Sequence, residues 1–291
     1  MRGMPIAVSG TEFTETDGVD GLIEMAGAAR CDAVEFWYPK NAERDGLDAT
    51  LRELDRAGLR VACVSTPSQL YGSGAADGVP LLHEAITLAA RTGGNRVNTY
   101  FGHAPVADDQ SAIAAYAEAL APVLDHAAAE EVVVVLENEF DAFGWDPAAS
   151  DVSRRPVALA ELFARVGSPW FGLNFDAANF LCAAVSPAGE ALPLLLPWVR
   201  YAHVKDVRRA PAATPPDGWT RYTDDDRAYD TAPLGTGELD WPTIIETLAT
   251  AGYDGYLTLE PHCARSILRS ETARAADYLR DVLSIHAPSH R

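Results

Sequence analysis

Eight short apolar runs, each followed by a stretch with helical spacing, constrain this 291-residue chain more than any other feature. The runs rich in β-branched and aromatic residues are 6–9, 33–37, 60–65, 96–101, 132–137, 171–176, 199–205 and 255–260, and they read as strands. Helical spacing follows at 18–30, 45–57, 78–91, 109–130, 156–166, 188–195, 241–251 and 264–286. The run Val132-Val133-Val134-Val135-Leu136-Glu137 carries no polar alternation, so both of its faces must be covered, as in a parallel sheet wrapped by helices. Gly58, Gly93 and Gly252 stand just before the next strand, where a left-handed helix cap is expected. Eight strand-helix units without a linker predict an α/β fold, a closed (β/α)8 barrel forming a single domain over residues 1–291.

The segment from Val207 to Asp240 breaks this rhythm. It holds Pro211, Pro215, Pro216 and an acidic run at Asp224, and it follows the seventh strand, so it is expected to hang over the active face as a long loop or lid. The Gly235-Thr236-Gly237 sequence has no strand directly before it, and it reads as a turn leading into the helix at Trp241 rather than as a phosphate loop.

Composition narrows the function. A hydrophobic fraction of 48% supplies a full core, which excludes wholesale disorder. Asp and Glu number 42 against 23 Lys and Arg, and the resulting charge of −19 argues against nucleic-acid partners. Four scattered cysteines without CxxC spacing fit reduced, cytoplasmic usage. No apolar stretch is long enough for a membrane span, and the N-terminal residues lack a signal-peptide pattern, so no membrane association is expected.

Barrel enzymes place their reacting groups at the C-terminal ends of the strands. There the chain carries Glu35 and Trp37, His103, Glu137, Asp176 with Asn179, His203 with Asp206, and Glu260 with His262. Glu137, Asp176, His203 and Glu260 end four consecutive strands and can converge on one side of the mouth. Three carboxylates and an imidazole form a hard, oxygen-rich set suited to a divalent metal, Mn²⁺ first, with Mg²⁺, Co²⁺ or Zn²⁺ as alternatives. A cation also explains why three acids are tolerated together. His103 and His262 are further candidates near the mouth, and Trp37 offers an aromatic face for sugar C–H groups.

Five motifs in register, 136–138, 172–179, 201–206, 234–241 and 256–262, resemble the xylose isomerase-like barrel superfamily, which includes sugar isomerases and epimerases, dehydratases and endonuclease IV. The resemblance implies that Glu137, Asp176, His203 and Glu260 hold one divalent metal, and that Glu137 and Glu260 are catalytic, moving a proton next to a carbonyl through a metal-stabilised enediolate. It also implies a substrate contact from the basic residue six after the histidine, here Arg209. The chain departs from the epimerase pattern at Asn179, where a histidine is usual, and it lacks the histidine set endonuclease IV needs. The expected function is a metal-dependent isomerase or epimerase of a small carbohydrate, with a keto-cyclitol dehydratase and a non-catalytic carbohydrate-binding barrel as alternatives. Members of the superfamily are often homodimers or homotetramers.

Overall fold

The computed structural model describes residues 3–13, 17–105, 108–140, 149–210, 216–224 and 227–285. Eight parallel strands close on one another: β1 (Ile6–Ser9), β2 (Ala33–Trp37), β3 (Arg60–Gly72), β4 (Arg96–Pro105), β5 (Val133–Glu137), β6 (Phe171–Asp176), β7 (Val199–Val204) and β8 (Leu257–Leu259). Each pairs with the next in sequence, and β8 returns to β1 through Ile6 opposite Leu257, so no edge is left open. The expected single barrel is what forms.

The helices are α1 (Gly18–Ala29), α2 (Leu47–Arg56), α3 (Ala75–Thr92), α4 (Asp109–Ala129), α5 (Pro156–Val166), α6 (Ala177–Cys182), α7 (Leu192–Leu195), α8 (Trp241–Thr250) and α9 (Arg265–Ile285). They bury Leu22, Leu82, Ile86, Leu120, Leu159, Ile245 and Leu279 against the outward strand residues, the layer that the unalternated strands require. Gly58, Gly93 and Gly252 have φ of 70°, 71° and 78°, as the cap reading expects.

The differences from expectation have local causes. The single helix expected at 188–195 is broken into a wide turn at Pro187–Ala191 and the four-residue α7, because Pro193 and Pro197 each remove a backbone donor. α6 was not foreseen, since it starts without a loop at Asp176, whose carboxylate caps it by accepting from the Asn179 N–H at 2.9 Å.

The largest correction concerns the expected structureless lid. Its described residues form a three-stranded antiparallel sheet, Asp206–Arg209 with Arg227–Ala232 and Arg221–Asp224. Prolines and charges hid these strands, yet Arg221 pairs with Asp230 directly across the sheet at 2.5 Å.

Inside the barrel the side chains separate by height. Ala7, Ala33, Ala62, Cys63, Val135 and Tyr201 make a small apolar plug toward the N-terminal end of the strands. Above it lies a buried polar layer made of Ser9, Glu35, Asn98, Glu137, Asn174, Asp176, His203, Lys205, Thr258 and Glu260. Charge so deep is stable only when paired.

Candidate metal centre and active site

Register decides which side chains meet. Asp176 stands opposite His203, and Glu137 opposite Asn174, so strands β5 to β8 deliver their last inward residues to one level. One ligand atom from each of Glu137, Asp176, His203 and Glu260 lies within 4.8 Å of the others, and all four residues are buried. The four residues read from strand ends are therefore brought together.

The imidazole of His203 is held from both sides. Nε2 lies 2.8 Å from Glu35 Oε2, while Nδ1 lies 3.0 Å from Glu137 Oε1 and 3.4 Å from Glu260 Oε2. Glu35 is in turn fixed by Ser9, whose hydroxyl donates to Oε1 at 2.6 Å, and by Trp37, whose indole N–H donates at 3.2 Å. A carboxylate behind the ring that presents the other nitrogen to an ion is the usual support of a metal-binding histidine.

Glu137 is steered by amides. Asn98 Nδ2 donates to Oε2 at 3.0 Å, and Asn174 and Asn179 approach Oε2 and Oε1 at 3.4 Å each. Asn138 clamps Asp176 by accepting from its backbone N–H at 2.9 Å and donating to its carbonyl at 2.8 Å. Asp176 Oδ1 is spent on capping α6, which leaves Oδ2 turned to the centre without a hydrogen-bond donor of good geometry.

Lys205 reaches the same point, with Nζ 2.5 Å from Asp176 Oδ2 and 2.8 Å from Glu260 Oε2. Burial opposes charge on Asp176, His203, Lys205 and Glu260. At Glu260 it is overcome by Lys205, His203 and His262, which hold its pKa well below the usual carboxylate range. At Asp176 burial prevails and the pKa rises, with Glu137 and Glu260 adding to the effect against the pull of Lys205. Burial also lowers His203, but Glu137, Glu35 and Glu260 outweigh it and carry its pKa well above the ordinary imidazole value.

The remaining candidates divide. Asn179 is in the centre, as above. Trp37 touches it through Glu35. His262 sits beside it, Nε2 3.3 Å from Glu260 Oε2 and Nδ1 3.8 Å from Glu12. Arg209 lies on the added sheet with its side chain exposed to solvent rather than packed in the buried cluster. The backbone of His103 pairs with Gly72 above the rim, and its side chain lies outside the described residues. Glu35 as the partner of His203, Lys205, Asn98 and Asn174 were missed. The signal was period two: Asn174 and Lys205 stand two residues from Asp176 and His203 on inward-facing strand positions.

Asp206 explains a motif. Its carboxylate accepts from the backbone N–H groups of Val207, Gly235, Gly237 and Leu239 at 2.9 to 3.3 Å. The glycine turn thus wraps the chain's own carboxylate, and a Cβ at Gly237 would lie 2.0 Å from Asp206 Oδ1. A separate cleft of about 510 Å³, lined by residues including Arg96, Arg200 and Tyr253, opens at the opposite, N-terminal end of the strands.

With this geometry, comparison becomes informative. The family model of the xylose isomerase-like TIM barrel matches residues 23–282. The chain belongs to this family. A human protein named "Putative hydroxypyruvate isomerase" is 26% identical over 262 residues, 85% of each chain. Among solved structures, an L-ribulose 3-epimerase superposes with a TM-score of 0.74 at 18% identity, covering 99% of both chains. A xylose isomerase-like barrel from Mycobacterium smegmatis in complex with magnesium does so with a TM-score of 0.73 at 18% identity, covering 97% of both. At these identities the structures speak for the fold.

The donor set fits a divalent cation by its own chemistry. It offers three carboxylates and an imidazole nitrogen, converging from four strands, with Asp176 Oδ2 turned inward and a carboxylate fixing the far side of the ring.

Proposed function

We propose that this chain is a divalent-metal-dependent isomerase or epimerase of a small polyhydroxy carbonyl compound. One observation carries the reading: Glu137 and Glu260 both approach Nδ1 of His203, at 3.0 and 3.4 Å, within a buried set of four potential ligands. A cation held by Glu137, Asp176, His203 and Glu260, with Mn²⁺ the proposed ion, would supply the Lewis acid that polarises a carbonyl.

The chain's own residues do the rest. Two carboxylates reaching one point from strands β5 and β8 can share a proton transfer, one taking the proton from the carbon beside the carbonyl and the other returning one. The amides of Asn98, Asn174 and Asn179 orient Glu137. Lys205 keeps Glu260 ionised and therefore able to accept. The family membership and the isomerase and epimerase names among the relatives support this reading.

The test is uptake of solvent deuterium by L-ribulose in heavy water, with hydroxypyruvate as a charged comparison and Mn²⁺, Mg²⁺, Co²⁺ or Zn²⁺ added to chelator-treated protein. Metal-dependent exchange that disappears in Glu137→Gln and in Glu260→Gln is expected. Exchange at the wild-type rate in either variant overturns the two-carboxylate mechanism, and a product that has lost water places the chain among the dehydratases instead.

A further inference from the structure

The sheet that follows β7 brings one side chain back over the mouth. The ring of Tyr222 lies 5.0 Å from Phe140, beyond the end of β5, and 5.9 Å edge-on from His262, beyond the end of β8. It therefore bridges across the ends of β6 and β7. The sheet is pinned there: Thr231 donates to the carbonyl of His262 at 2.8 Å, the Ala264 N–H donates to the Gly218 carbonyl at 2.8 Å, and Trp219 pairs with Cys263.

The hydroxyl of Tyr222 is enclosed and has no hydrogen-bond partner among the described residues. His262, whose ring Tyr222 meets edge-on, lies 3.3 Å from Glu260, so Tyr222 stands beside the candidate metal centre. An enclosed hydroxyl without a partner is a cost to folding. Phenylalanine would make the same ring contacts without that cost, which points to a bound molecule as the partner.

Charge defines what that molecule can be. Glu35, Glu137, Asp176 and Glu260 are buried there with Lys205, so the lining carries four acids against one lysine. A carboxylate would be repelled, whereas a neutral hydroxyl is not.

Resting on the isomerase reading, we propose that Tyr222 is a substrate-binding residue of the added sheet, hydrogen-bonding a hydroxyl of a small, uncharged polyhydroxy ketone. The test is calorimetric binding to Mn²⁺-loaded protein of ribitol, an uncharged polyol, and of tartronate, a small dicarboxylate. The wild type should bind ribitol more tightly than tartronate. Tyr222→Phe should weaken ribitol about tenfold, equivalent to about 1.4 kcal/mol, while Mn²⁺ affinity is unchanged and the melting temperature is equal or higher. Ribitol affinity within twofold of wild type in the Phe variant overturns the assignment of Tyr222. Tighter binding of tartronate, or no binding of ribitol, overturns the uncharged substrate class. Failure of the isomerase reading appears separately, as absence of deuterium exchange in the wild type.

Discussion

Glu35 and His203 lie 168 residues apart in sequence and 2.8 Å apart in space, joined across the barrel interior by the Nε2–Oε2 contact. That contact aims Nδ1 at Glu137 and Glu260. In Glu35→Ala the ring loses its anchor, and Mn²⁺ affinity measured by titration should fall roughly ten- to a hundredfold. Unchanged affinity would remove Glu35 from the support of the centre.

Lys205 neutralises Asp176 and Glu260 from within. Replacing it by Met leaves two buried carboxylates without their cation, and stability in chelator should drop by about 3 kcal/mol. Added Mn²⁺ should restore part of that loss, because a cation again compensates the acids. Chemical denaturation with and without metal measures both effects.

Asp206 holds the turn at 235–239 through the backbone N–H groups of Gly235, Gly237 and Leu239, and it also accepts from Val207. Asp206→Ala orphans them, at a cost of about 2 kcal/mol. The added sheet depends on the same turn, since the Glu238 N–H donates to the Val207 carbonyl at 2.8 Å. A lower melting temperature and faster proteolysis within 207–240 are expected.

Asp151 provides a pH signature away from the centre. Burial raises its carboxyl from 3.8 to about 6, against the pull of Ser153, Arg154 and Arg155. A carboxyl whose pKa is higher folded than unfolded binds its proton more tightly in the folded state. Its contribution to stability is therefore complete below about pH 4 and is lost as pH rises through about 6. Asp151→Asn does not titrate, so the stability of wild type relative to this variant should fall by about 3 kcal/mol between about pH 4 and about pH 7.5. Denaturation at a series of pH values checks it, and a flat difference would contradict the raised pKa.

The strand-helix alternation, the closed barrel and the four convergent residues Glu137, Asp176, His203 and Glu260 were legible in the sequence alone. Each follows from short-range rules: unalternated apolar runs need cover on both faces, and parallel strands joined by helices present their C-terminal ends together. The capping glycines were legible for the same reason, as local backbone geometry dictates them.

Only the tertiary structure decided what surrounds those residues. Asn174 and Lys205 carry no motif of their own; they join the site because barrel closure turns alternate strand positions inward and register sets them level with Glu137 and Glu260. The added sheet was invisible because its strands are polar and find their partners across antiparallel pairing, which local propensity does not encode. The same sheet leaves the Arg209 side chain exposed and sets Tyr222 against His262. Contacts between residues far apart in the chain fix such choices, and a linear pattern holds no record of them.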